Sequence, residues 1–183
     1  MNSPHEELKN KVALITGGAF RIGASIARAL HAEGMNLVIH YHSSAEKARA
    51  LQVDLHKLRP ESVMLIGTDL RELAKLERLV SQTTETFGRL DVLVNNARIS
   101  RVVPAVDDEL DDFRRELAVD LVAPYELARR AARWWIENDR PGVVVNLGSV
   151  LGAGSGGRLR APGYTAAKGG LHNLTRELAV QWA

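Results

Sequence analysis

Val12-Ala13-Leu14-Ile15-Thr16-Gly17-Gly18-Ala19-Phe20-Arg21-Ile22-Gly23 is a short apolar run, then a glycine-rich turn, then the start of a helix-periodic stretch. Apolar residues in unbroken succession, rather than alternating with polar ones, indicate a strand covered on both faces. Glycines at a strand-to-helix turn let the backbone come close to a pyrophosphate. The exposed N–H groups and the positive end of the following helix then receive its charge. An isolated Gly-x-Gly would be no more than a turn. A strand before it, a helix after it and a place near the N-terminus make dinucleotide binding the better expectation.

The same alternation continues outward from this stretch. Asn36-Leu37-Val38-Ile39-His40 precedes a helical pattern over 44–58, Val63-Met64-Leu65-Ile66 precedes one over 70–87, and Val92-Leu93-Val94 precedes a loop. A long helical pattern over 110–137 is followed by Val143-Val144-Val145-Asn146-Leu147 and by a last helix from residue 162. Strands alternating with helices indicate right-handed βαβ units in a parallel sheet. The expected fold class is α/β, a Rossmann-type doubly wound parallel sheet with helices on both faces. Gly34, Gly88 and Gly142 each follow a helical pattern, where a left-handed C-cap is expected. Residues 1–183 read as a single domain, with 1–10 an N-terminal extension and 152–157 a Gly/Ser-rich loop. The usual Rossmann order needs a further strand after the last helix, so the sheet is expected to lack its C-terminal strand.

Composition excludes several classes. Hydrophobic residues make up 45% of the 183 and charged residues 25%, which suffices for one substantial core. The net charge is +2 with no dense Lys/Arg run, so neither nucleic acid nor a membrane is an expected partner. There is no Cys. That removes disulfides, thiolate zinc sites and cysteine nucleophiles, and it fits a cytoplasmic protein. The N-terminus lacks the apolar core of a signal peptide, and no apolar run approaches the ~20 residues that span a bilayer. His5, His31, His56 and His172 are scattered without metal spacing, so no metal site is expected. Trp134-Trp135 read as core or a subunit contact, and Asp107-Asp108 and Asp111-Asp112 as helix N-terminal charge.

Tyr164 and Lys168 share one face of the last helical pattern. Reduction of a carbonyl needs a proton at oxygen while hydride arrives at carbon. A phenol, with an ordinary pKa of about 10, exchanges protons poorly near neutrality unless a neighbouring ammonium lowers that value. Ser149, just past the fifth strand, could hydrogen-bond and polarise a substrate oxygen. A Tyr/Lys pair alone would be a surface contact. With the glycine turn and Ser149 it reads as catalytic.

Thr16-Gly17 to Ile22-Gly23, Asp69, Asn95-Asn96-Ala97, Ser149 and Tyr164-x-x-x-Lys168 occur in this order, and over residues 10–183 the chain resembles the short-chain dehydrogenase/reductase family. Its N-terminal half is most similar to the pteridine reductases, which also carry Arg at the position of Arg21 and His-Tyr-His at His40-Tyr41-His42. The resemblance implies hydride transfer between a nicotinamide and a small carbonyl or alcohol substrate. Tyr164 would be the proton donor, Lys168 would assist it and hold the nicotinamide ribose, and Ser149 would orient the substrate. Asp120 would stand where the family has an Asn that holds a proton-relay water. Gly17, Arg21, Ile22 and Gly23 would cradle the cofactor, Asp69 and Leu70 would border the adenine, and Asn95 and Ala97 would line the ribose and pyrophosphate floor. A homodimer or homotetramer would form through the helices bearing Asp120 and Tyr164. Asp69 reads equally well as the N-cap of the helix after it.

The end of the second strand faces the adenosine ribose, where a carboxylate would select NAD. This chain offers His40, Tyr41, His42, Ser43 and Ser44 there, with no acid before Glu46 and with Arg21 nearby. NADP(H) is therefore favoured over NAD. Ser43 or Ser44 also fits a helix N-cap. Against the family pattern, Arg98 follows Asn95-Asn96-Ala97 where Gly is usual, Asp120 replaces Asn, and the Ser149–Tyr164 interval is slightly long. No counterpart of the C-terminal substrate loop and its Pro-Gly turn is seen. Ser43, Ser149 and Ser100 replace an Arg, an Asp and a pterin-stacking aromatic of the pteridine reductases, which speaks for an ordinary carbonyl substrate. Two alternatives stay open: a pteridine reductase, and a dinucleotide-binding or structural protein whose catalysis is impaired by truncation.

Overall fold

A computed structural model describes residues 7–154, 157 and 159–183; His5 and part of the 152–157 loop lie outside the described residues. The strands β1 (Val12–Ile15), β2 (Asn36–Tyr41), β3 (Val63–Gly67), β4 (Val92–Asn95) and β5 (Val143–Asn146) form one parallel sheet in the order β3-β2-β1-β4-β5. The helices are α1 (Arg21–Ala32), α2 (Ala45–Leu58), α3 (Leu73–Phe87), α4 (Leu110–Leu117), α5 (Ala123–Glu137), α6 (Val150–Ala153) and α7 (Pro162–Gln181). This is the expected Rossmann-type doubly wound architecture. Among the described residues, no helix is long and apolar enough to cross a membrane.

The unbroken apolar strands are explained by two cores, one on each face of the sheet. Ala13, Ile15, Leu37 and Ile39 pack with Ala27 of α1 and with Ala48, Leu51 and Leu55 of α2. Leu14, Val38 and Leu93, one residue out of phase, pack on the other face with Leu76 and Leu79 of α3 and Leu127 and Ala131 of α5. Side chains alternate faces along a strand, so covering both faces demands apolar residues at every position. The strand order reverses between β1 and β4, and a crevice opens beyond the carboxyl ends of these two strands.

Four local features differ from expectation. β5 is not covered on both faces, and Val143 and Val145 are 55% and 42% exposed. Gly34 and Gly88 do adopt positive φ, but Gly142 does not. A Cβ at Gly142 would fall 1.9 Å from Cε2 of Trp135, so this glycine makes room for the indole. Trp135 is itself buried and donates from Nε1 to the Leu90 carbonyl at 2.6 Å. α3 begins at Leu73 rather than residue 70, because Asp69 Oδ1 accepts the Arg71 N–H at 3.0 Å in a separate turn. Asp69 is thus not the helix N-cap, and Ser44, at the N-cap of α2, makes no side-chain capping bond.

The helical pattern over 110–137 is interrupted by a π-turn at Ala118–Val122. Ala123 N–H bonds to the carbonyl five residues back, at Ala118, and the next residue is Pro124. Proline has no N–H for the Asp120 carbonyl, so the ordinary ladder cannot run through this point. The widened turn leaves Asp120 fully buried, facing the segment after β4.

Candidate active site

The turn after β1 is tied to the segment after β4 by side chains that leave its glycines bare. Thr16 Oγ1 accepts the N–H groups of Asn96 and Ala97 at 3.0 and 3.1 Å. Asn96 Nδ2 donates to the carbonyls of Thr16 and Gly17 at 2.9 and 3.0 Å. Gly17 has φ +60, and a Cβ there would approach Ala97 Cα to 2.9 Å. A Cβ at Gly23 would meet the Gly17 carbonyl oxygen at 2.3 Å, so the start of α1 packs directly on the turn.

His40 is a strut beneath this turn. Its ring is 1% exposed, Nδ1 accepts the Gly17 N–H at 3.2 Å, and Nε2 lies 3.0 Å from the Thr68 carbonyl. Both bonds hold together only in the neutral tautomer protonated at Nε2. Burial depresses the His40 pKa to about 4, against weaker support for the charged form from the Thr68 carbonyl. Sequence reasoning placed His40 at the ribose and overlooked both it and Asn96 as supports of the turn. The available signal was a lone imidazole inside an apolar strand, which needs two partners when buried.

The cleft beyond the turn has a volume of about 900 Å³. One end is lined by Arg21, Ile22, Gly23, His42, Ser43, Ser44, Asp69 and Leu70. Arg21 adopts φ 49 at the first turn of α1, with its guanidinium carbon 5.2 Å from the Phe20 ring centroid. Lys47 Nζ, from α2, lies 3.6 Å from the same centroid. Two cations therefore share one half-exposed ring. Asp69 is bound by Arg71, whose hydrogen bonds are the main reason its carboxyl pKa falls to about 2; His42 stands 3.7 Å away.

The opposite end is lined by Ala97, Arg98, Ser100, Gly148, Tyr164 and Lys168. α7 carries Tyr164 and Lys168 into the same cleft as the glycine turn. Lys168 is 2% exposed, donates from Nζ to the Leu147 carbonyl at 2.9 Å, and lies 5.7 Å from the Tyr164 ring centroid. Burial lowers the Lys168 pKa, Asp120 opposes that shift, and Arg98 adds to it. Asp120 Oδ1 accepts the Ile99 N–H at 2.9 Å, and Oδ2 is buried without a hydrogen-bond partner. Desolvation pushes the Asp120 pKa up to about 6.

Three expected site residues do not line the cleft: Asn95, Asp120 and Ser149. Asn95 is buried and donates from Nδ2 to the Pro124 carbonyl and to Asn146 Oδ1, so Asn96 takes the place at the cleft. Asp120 sits behind Lys168 and Ile99 rather than at the surface of the site. Ser149 Oγ accepts the Leu151 N–H and caps the short α6, while its own N–H reaches His172 Nε2 at 3.3 Å.

The bare glycine cradle at the N-terminus of α1, which any Cβ would fill, fits a pyrophosphate-bearing dinucleotide. A family model described as short chain dehydrogenase matches residues 11–183. The chain is 30% identical to 2-dehydro-3-deoxy-D-gluconate 5-dehydrogenase of Formosa agariphila, over 97% of this chain and 66% of that one. It is 30% identical to 3beta-hydroxysteroid dehydrogenase 1 of Eggerthella lenta, over 98% of this chain and 67% of that one. A solved short chain dehydrogenase from Bacillus anthracis superposes with a TM-score of 0.89 at 26% identity, covering 96% of this chain and 71% of its own. The chain thus spans about two thirds of the length of the curated relatives it matches.

Proposed function

The chain belongs to the short chain dehydrogenase family, and from that premise we propose that it is an NADP(H)-dependent oxidoreductase interconverting a carbonyl and an alcohol. The observation that carries this proposal is the convergence of Tyr164 and Lys168 on the cleft formed by the Gly17–Gly23 turn. When bound there, the nicotinamide supplies or accepts the hydride at the substrate carbon. Tyr164 gives its phenolic proton to the carbonyl oxygen in reduction and recovers it in oxidation. Lys168, anchored on the Leu147 carbonyl, stabilises the phenolate left behind and would hold the nicotinamide ribose. Ser149 adjoins Gly148, which lines the cleft, and after its oxygen accepts the Leu151 N–H its hydroxyl proton is left to turn toward a substrate oxygen. Asp120 acts through Lys168, as a positioning residue.

The preference for NADP(H) is supported by charge. No carboxylate side chain belongs to the end of β2, the acid of the cleft is held by Arg71, and Arg21 and Lys47 add positive charge. A 2′-phosphate suits such a site better than a bare ribose. The substrate is not chosen by similarity, since one relative's name specifies a deoxygluconate and another's a hydroxysteroid. The pteridine reductase alternative rests on Arg21 and His40-Tyr41-His42, and Ser100 brings no aromatic ring to the phenol end of the cleft. A homodimer or homotetramer through the helical segment 110–137, which bears Asp120, and α7 is part of the proposal, and the subunit count is checked by light scattering.

Titration with NADPH and NADH separates a dinucleotide site from an inert fold. Turnover of a carbonyl panel that includes dihydrobiopterin, lost in Tyr164→Phe, separates catalysis from binding. Absence of NADPH binding, or activity undiminished in Tyr164→Phe, sinks the proposal.

A further inference from the structure

Arg98 stands beside the phenol at the edge of the cleft. It lines the cleft, its side chain is exposed, and its guanidinium carbon lies 5.9 Å from the Tyr164 ring centroid. Other arginines of the chain are held by acids: Arg71 by Asp69, Arg89 by Asp91, Arg129 and Arg130 by Glu126. Arg98 forms no ion pair among the described residues, and its contact is the face of the Tyr164 ring. Asp120, a carboxylate that feels the Arg98 charge, is fully buried and already accepts the Ile99 N–H. The phenol end of the cleft therefore presents two cations, Arg98 and Lys168, and lines itself with no acid.

We infer that Arg98 is a substrate-recognition residue that selects carbonyl compounds bearing a carboxylate, that is, oxo acids and the corresponding hydroxy acids. This rests on the oxidoreductase function proposed above for the same cleft. A guanidinium presents two parallel N–H donors that match the two oxygens of a carboxylate. A substrate whose carbonyl oxygen meets the Tyr164 hydroxyl would carry a carboxylate a few bonds away into reach of that fork. Neutralising Arg98 in this way also removes a repulsive charge from Lys168, so binding of an anionic substrate and protonation of the lysine favour one another.

Two measurements test the inference. Benzoate and benzamide are titrated calorimetrically into the cofactor-free and NADPH-loaded protein, wild type and Arg98→Gln. Benzoate is expected to bind at least ~10-fold more tightly than benzamide, with the preference lost in Arg98→Gln and partly kept in Arg98→Lys. Equal binding of the two, no benzoate binding, or a preference that survives Arg98→Gln overturns the inference. So does a rise in the NADPH Kd of Arg98→Gln with the benzoate preference unchanged, which would assign the guanidinium to the cofactor. Levulinate and its methyl ester are then compared as substrates. The acid-to-ester ratio of kcat/KM should fall ~10-fold in Arg98→Gln, through KM. Absence of turnover with both, beside an intact benzoate preference, counts against the oxidoreductase proposal and not against Arg98.

Discussion

Gly17 and His40 are joined by a hydrogen bond from the Gly17 N–H to the imidazole Nδ1, at 3.2 Å. The glycine turn is thereby hung on a neutral, buried side chain of the neighbouring strand. Because the His40 pKa is lowered to about 4, the folded chain resists a proton that the unfolded chain accepts near its ordinary value of 6.5. Stability is therefore lost as pH falls from 6.5 toward 4, by about 3 kcal/mol from this group. Urea unfolding of wild type and His40→Asn across that range should show the wild type losing this increment and the variant not. NADPH affinity should also be weaker in His40→Leu at pH 7.5, since the Gly17 N–H then loses its acceptor.

Asp120 acts in the opposite sense. Its carboxyl is kept protonated up to a pKa of about 6, against an ordinary 3.8, so the folded state is penalised as pH rises from 3.8 through 6. The full penalty, about 3 kcal/mol, is present at neutral pH. Asp120→Asn keeps an acceptor for the Ile99 N–H and removes the buried charge. Its unfolding free energy should exceed wild type at pH 7.5 and match it near pH 4. A variant no more stable at pH 7.5 contradicts this account.

Gly23→Ala should damage the cradle directly. The added methyl meets the Gly17 oxygen at 2.3 Å and Gly18 Cα at 2.9 Å, both backbone atoms. NADPH binding, followed by fluorescence, should weaken by at least ~10-fold while the protein remains folded by circular dichroism.

Arg21 and Lys47 flank Phe20 at the adenosine end. Arg21→Ala and Lys47→Ala should each raise the Kd for NADPH by ~10-fold and leave that for NADH nearly unchanged. Equal losses for both nucleotides would show that these cations serve the fold or the pyrophosphate and not a 2′-phosphate.

Gly142→Ala probes a site remote from the cleft. With a Cβ only 1.9 Å from the Trp135 indole, the ring or the strand start must move. Thermal unfolding should reveal a loss of about 1–3 kcal/mol with cofactor affinity preserved.

Strand–helix alternation, the glycine cradle and the Tyr164/Lys168 pair were legible in the chain alone. Burial on two faces, close approach to a phosphate and helical periodicity each impose a local pattern of residue types. Residues that work across distant segments leave no such mark. Pairing of Ile15 with Ile39 brings His40 beside the glycine turn. Asn95 and Asn96 look equivalent in the sequence, yet a one-residue step reverses side-chain direction, sending Asn95 toward Pro124 and Asn96 to the turn. Asp120 is aimed by the π-turn at Ala118–Val122, just before Pro124, within a segment that reads as continuous helix. Strand register, pleat direction and helix defects arise from packing between elements, so the supports of this site became visible only once the sheet and helices were assembled.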